Sequence, residues 1–143
     1  MTRSQRLARL ASLNEVKKTV ASQRLAVSRQ RYAAQHQKLD DFRQYRQEYA
    51  RGLQTPGTTL GAAALCDTRR FLAQLDRTIN ALEAMVSRAE RECAEDSAAW
   101  QREAARASAL VEVLERCRQH EARGLELRVQ RELDDRPRVA IEM

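Results

Sequence analysis

Apolar residues recur along the second half of the chain at alternating spacings of three and four. One row reads Leu72, Ile79, Val86, Cys93, Trp100, Ala107 and Leu114, each seven after the last. The companion row reads Leu75, Leu82, Ala89, Asp96, Glu103 and Leu110. A period of 3.5 sustained this long belongs to a helix that supercoils against a neighbour, because an unbent helix of 3.6 residues per turn drifts off such a seam. Asp96 and Glu103 break the companion row and put polar groups where the partner helix must pass. The first half carries a less regular seam of Leu25, Tyr32, Leu39, Arg46 and Leu53, with Phe42 and Tyr49 beside it. Upstream, Leu13, Val16 and Val20 fall in a shifted frame, which predicts a change of supercoil near residues 20–25.

One strong break separates the seams, at Gln54-Thr55-Pro56-Gly57-Thr58-Thr59-Leu60-Gly61. Pro56 cannot continue a helix, Gly57 permits a positive φ, and Thr58 or Thr59 can cap the next helix. The pattern predicts helix one over about 3–53, a turn at 54–58, helix two over about 59–134 and a flexible tail at 135–143. Two seamed helices joined by a short loop fold back on each other. The expected fold is therefore all-α, a single elongated domain over 1–143 built as an antiparallel two-helix coiled-coil hairpin with a longer second helix. At 1.5 Å per residue the helices span roughly 75 Å and roughly 110 Å. Pairing outward from Pro56 sets the start of helix one opposite about residue 110 and leaves 110–134 as a single projecting helix. Leu110, Val111, Leu114, Leu125, Val129 and Leu133 give that projection an apolar stripe that needs a cover.

Composition agrees with a rod: 32% of residues are charged, 4% are aromatic, and there are four glycines and two prolines. No apolar run approaches the ~18 residues of a membrane span, and the basic N-terminus lacks the apolar stretch of a secretory signal, so the chain reads as cytosolic. Residues 1–53 hold 12 Lys/Arg against 4 Asp/Glu, whereas residues 54–143 hold 14 against 16. A basic helix and a slightly acidic one attract each other across a hairpin through flanking pairs that are individually weak. The surplus of positive charge at the N-terminal end is left for an acidic surface or a phosphate backbone.

The chemistry of catalysis is missing. No phosphate-binding glycine loop occurs, no Ser or Cys has a His placed to activate it, and carboxylates along a rod have no cleft in which to be tuned. Cys66, Cys93 and Cys117 show no C-x-x-C spacing, and His36 and His120 sit in opposite halves of the chain. These residues supply no metal site, and neither an enzyme nor a cofactor is expected.

The run Leu39-x-x-Phe42-x-x-Tyr45-x-x-Glu48-Tyr49-x-x-x-Leu53 resembles the distal part of the first helix in the FliJ family of flagellar export proteins. Phe71-Leu72-x-x-Leu75-x-x-x-Ile79 is similar to the opening of that family's second helix. Trp100, Leu110, Leu114 and the Leu133-Asp134-Asp135 ending also match. The chain departs from some members at 60–70, where an Ala-rich stretch replaces aromatic residues. The resemblance implies a component of the flagellar type III export apparatus, similar to the stalk of a rotary ATP synthase. It implies binding to a hexameric export ATPase (FliI), to the export gate (FlhA) and to export chaperones. It also implies a place in the cytoplasm, peripheral to the inner face of the inner membrane.

Carried onto these residues, the resemblance makes Phe71 and Leu75, four apart on one face, an apolar contact for the gate. The bland alternative is that Phe71 folds over the loop and covers Leu60 or Leu65. The open end would enter the ATPase ring through Arg3, Arg6 and Arg9, with Leu7, Leu10 and Leu13 on one stripe, and through Leu125, Val129 and Leu133. A solvated charged face is the competing reading of the basic residues. Tyr45, Tyr49 and Trp100 read first as packing residues. Two other functions stay open: a basic coiled-coil adaptor for nucleic acid, which the lack of interleaved aromatics disfavours, and a structural long-helix dimer.

Overall fold

A computed structural model describes residues 2–53 and 61–136. They form two helices, α1 (Arg3–Leu53) and α2 (Ala62–Asp134), packed against each other as a hairpin with the second the longer; no strand occurs among the described residues. The helix ends agree with the sequence pattern except at the start of α2, which opens at Ala62 instead of about residue 59. The expected turn at 54–58 and the last seven residues of the tail lie outside the described residues. The helices build two compact units, Ala21–Trp100 and Met1–Val20 with Gln101–Met143.

In the unit Ala21–Trp100 the core is a single stripe. Leu39, Ile79, Leu82 and Val86 form its buried cluster, with Tyr32 and Phe42 packed against it, and Leu25, Leu75 and Ala89 are buried along the same line. Every α2 residue of the two predicted rows is buried or half-buried, Asp96 included. In heptad letters with Leu39 and Ile79 at a, the flanking ion pairs join like positions. Arg43 and Glu83, both at e, approach to 2.8 Å, and Arg31 and Glu92, both at g, to 3.1 Å. Like positions meet across a seam only when the helices run antiparallel, so the charge pairing records the direction. The pairs are about half exposed and add little stability singly.

In the unit Met1–Val20 with Gln101–Met143, Ala107 and Leu114 are buried and Leu110, Cys117 and Glu121 half-buried on α2. Facing residues on α1 are Leu7, Ala11, Asn14 and Lys18, all half-buried. This overturns the expected change of frame. The inward positions run 7, 11, 14, 18, 21, 25 at one unbroken alternation of four and three, whereas Leu13, Val16 and Val20 are exposed. Small and polar residues occupy the inside of this stretch and aliphatics the outside, which is why apolar spacing pointed to the wrong face.

The register differs too. Ser4 reaches Glu121, so the start of α1 lies beside residue 121 and not 110, and residues 110–121 are paired. The projecting part of α2 is confined to 122–134, where every residue is exposed. The expectation took Pro56 as the axis of the hairpin. The seam sets the register instead, and it places Tyr49 against Phe71, so the first turns of α2 run beyond that pairing.

Leu39 is 3% exposed at the centre of the buried cluster. Leu39→Ala is expected to cost about 2 kcal/mol, the lower end for a buried leucine because a two-helix seam has room to collapse. Thermal unfolding followed by circular dichroism would read it as a lowered melting temperature, with Val27→Ala on the exposed face as a control that leaves the melt unchanged.

Candidate docking surfaces

Two sets of residues stand out as surfaces, one in each unit. The first is an aromatic group in the unit Ala21–Trp100. Tyr45 and Tyr49 lie one helical turn apart on α1, and Phe71 meets both from α2, its ring 4.7 Å from Tyr49 and 6.3 Å from Tyr45, edge-on to the latter. Such tilted and edge-on contacts suit the ring quadrupoles and hold Phe71 in one place. Phe71 stays 37% exposed, whereas Leu75 is only 5% exposed within the seam. Of the two residues expected to share a contact, Phe71 is partly open, whereas Leu75 is a buried member of the seam. The ring partners of Phe71 are on α1; of the two residues it is alternatively expected to cover, Leu65 is 40% exposed and Leu60 lies outside the described residues.

Beside this group Arg46 occupies a seam position. Its guanidinium forks onto Asp76, Nε donating to Oδ1 at 2.5 Å and Nη2 to Oδ2 at 3.3 Å. Those hydrogen bonds, and then the charge of Asp76, hold the Arg46 pKa above its ordinary value. The arrangement lets the aliphatic stem fill the seam while the charged head stays paired at the edge.

The second surface is where α1 begins. Thr2 caps the helix: the Gln5 amide donates to Thr2 Oγ1 at 3.3 Å and the Thr2 amide donates to Gln5 Oε1 at 3.0 Å, a reciprocal capping box. Glu121 of α2 takes the next free donor. The Ser4 amide donates to its Oε1 at 3.2 Å and the Ser4 hydroxyl to its Oε2 at 2.7 Å. A carboxylate at a helix N-terminus also meets the positive end of the helix dipole. The Ser4 hydroxyl, then its amide, pull the Glu121 pKa below the ordinary carboxylate value; burial opposes them, and Cys117 and then His120 add lesser lowering.

Shallow hollows flank this carboxylate. One, of about 440 Å³, is lined by Arg3, Val113, Arg116, Cys117, His120 and Glu121. The other, of about 560 Å³, shares Arg3, His120 and Glu121 and adds Thr2, Gly124, Leu125 and Arg128. Arginines therefore surround one carboxylate that is already engaged, and the net character of the surface is cationic. Arg6, Arg9, Leu10 and Leu13 are exposed on α1, Leu7 is half-buried, and Leu125, Val129 and Leu133 are exposed on α2. Leu7 thus belongs to the seam, while the other residues expected at this end are open to a partner.

Sequence reasoning passed over the capping box, although Thr2-x-x-Gln5 spells it. It also missed Glu121, whose partner depends on the register, and Ser28, which is buried and whose hydroxyl donates to the Asp96 carboxylate. Among the described residues no group of three or more His, Cys, Asp or Glu side chains is placed to hold a metal. No described helix is long and apolar enough to cross a membrane.

Compared with known proteins, residues 3–139 match the model of one family, FliJ, described as flagellar FliJ protein. No curated protein and no solved structure matches the chain. The family likeness read from the aromatic run and the paired helices is thereby borne out over nearly the whole chain.

Because the Glu121 pKa is lowered on folding, the stabilisation it brings is complete above the ordinary carboxylate range of about 4.3 and is lost as pH falls through the lowered value. Protection of the amides in the first turn of α1, taken relative to their intrinsic exchange at each pH, is expected to fall as pH drops through the lowered value, ahead of the middle of the helix. Glu121→Ala is expected to exchange fast there at every pH, a comparison open to hydrogen–deuterium exchange with mass spectrometry.

Proposed function

The chain belongs to the FliJ family of flagellar export components, and from that premise we propose that it is the non-catalytic coiled-coil stalk of the type III export apparatus. The family is a structural export component and not a known enzyme. In this reading, the end holding Thr2–Val20 and α2 from Gln101 onward docks in the hexameric export ATPase (FliI). The Phe71 group contacts the export gate (FlhA), and the chain escorts export chaperones at the cytoplasmic face of the inner membrane.

One observation carries the reading: past Glu121, α2 continues as a single helix with Leu125, Val129 and Leu133 at 63%, 48% and 57% exposed. An aliphatic row this open, next to the arginines of the α1 start, suits a recess lined by apolar and acidic groups better than it suits water. For the gate, support comes from Phe71, a ring held by two tyrosines yet partly open, which presents apolar area at little cost in side-chain freedom. A nucleic-acid adaptor draws on the same positive charge, but the aliphatic row adds nothing to phosphate contacts.

The deciding experiment captures the purified chain on the export ATPase of the same organism at ~150 mM and ~500 mM salt, a range over which phosphate contacts weaken steeply. Retention at both is expected, with Leu125→Asp and Leu133→Asp together abolishing it while helicity is unchanged; absence of binding at both salts overturns the reading. For the gate, Phe71→Ala is expected to weaken binding at least about tenfold, in the range of a buried aromatic anchor, and to leave the melting temperature within a few degrees. Unchanged gate binding with a large drop in melting temperature would assign Phe71 to packing alone.

A further inference from the structure

The single-helix segment of α2 carries a symmetry that ring docking does not need. Leu125, Val129 and Leu133 form one row at steps of four, with Val129 at its centre. Turned end for end about Val129, the row superimposes on itself, Leu125 meeting Leu133 and Leu133 meeting Leu125. Leu127 lies about 200° round the helix from Val129 and stays outside the row.

The charges beside the row have the same property. Arg128 and Glu132 both lie on one flank of it, and neither makes an ion pair within the chain among the described residues. When two copies of a helix pair antiparallel, like flanks face each other, as the like-position pairs of the Ala21–Trp100 unit illustrate. Arg128 of one copy then stands beside Glu132 of the second copy, and the twofold axis repeats the pair. On the other flank Glu126 faces Gln130 of the second copy, so no like charges oppose. The same end-for-end turn applied to the outer face of α1 would bring Arg9, Lys17 and Arg24 against one another across the axis, and these repel. The α2 segment is the apolar face whose charges complement themselves.

We propose that residues 122–134 are a self-recognition surface, on which a second copy of this chain seats its own segment antiparallel, centred on Val129, with reciprocal Arg128–Glu132 pairs. The segment is about 20 Å long, so the contact is smaller than the ~1,200 Å² of a stable interface and pairing is weak and concentration-dependent. It does not depend on the ring reading, since the mass of the free chain decides it. If both hold, they draw on the same leucines, and the paired form is one that cannot dock.

The test needs no partner protein: light scattering and sedimentation of the full chain over roughly 10 µM to 1 mM, the range of a weak complex, with Arg128→Glu and Glu132→Arg as single variants. The unaltered chain is expected to pass from monomer to dimer. Each variant alone is expected to stay monomeric where the unaltered chain is paired. An equimolar mixture of the two is expected to recover the dimer, because the new carboxylate at position 128 of one copy then faces the new guanidinium at position 132 of the other. Within-helix effects of either change cannot produce that recovery. A monomer at all concentrations overturns the proposal, as does a dimer indifferent to both variants, which would place self-association elsewhere on the chain. Circular dichroism of each variant checks that the helices are intact.

Discussion

A helix that has only one neighbour can bury only one stripe, and nearly everything in this chain derives from that constraint. Among the described residues there is no third layer, and the buried apolar side chains lie along the seams between α1 and α2. The stripe is narrow, and its buried apolar members are Leu, Ile, Val and Ala at strict spacing. Residues immediately beside it become edge pairs such as Arg31–Glu92 and Arg43–Glu83. Larger side chains at the margin, Phe71 among them, are left half in water. A surface available to other proteins is therefore a by-product of the architecture.

The seam is not purely apolar, and its polar members act differently from its leucines. Ser28 and Asp96 meet inside it, Arg46 leaves it to reach Asp76, and Glu121 leaves its row to hold Ser4. Slipping α1 along α2 by one heptad would set Tyr32 or Arg46 where Leu39 meets Ile79, Leu82 and Val86, and it would separate each of these polar pairs. Other polar atoms in the seam lack a partner altogether, Gln35 Oε1 and Glu103 Oε2. Gln35 borders a small hollow of about 200 Å³ with Arg31, Met85, Arg88, Ala89 and Glu92, which marks it as a loosely packed stretch of the seam.

Much of this was legible in the residues. The α2 rows from Leu72 to Leu114 name their own buried positions because large aliphatics sit there. The helix ends derive from Pro56, Gly57 and Pro137. The start of α1 was not legible by the same method, since Ala11, Asn14 and Lys18 face inward while Leu13, Val16 and Val20 face water. Register was not legible either: a break in the sequence locates a turn, whereas side-chain fit across the seam decides which residues meet. Contacts that need the register, Tyr49 with Phe71 and Ser4 with Glu121, were therefore out of reach even though each partner was in view. The Thr2–Gln5 capping box is the exception, a local signal that could have been read directly.

The cross-helix contacts also differ in how much chain each must gather in. Arg46 and Asp76 are 30 residues apart in sequence, Arg43 and Glu83 40, Ser28 and Asp96 68, and Ser4 and Glu121 117. Closing the longest of these loops directly costs about 1 kcal/mol more entropy than closing the shortest, two doublings at about 0.6 each. Once an inner contact has formed, the next outward closes only a short additional loop. Assembly is thus a zipper with a fixed starting end: the aromatic group forms early, and the capped start of α1 engages last and frays first. On a ribosome, α1 emerges complete before any of α2 exists, and its N-terminal turn waits for Glu121 until most of the second helix has been made.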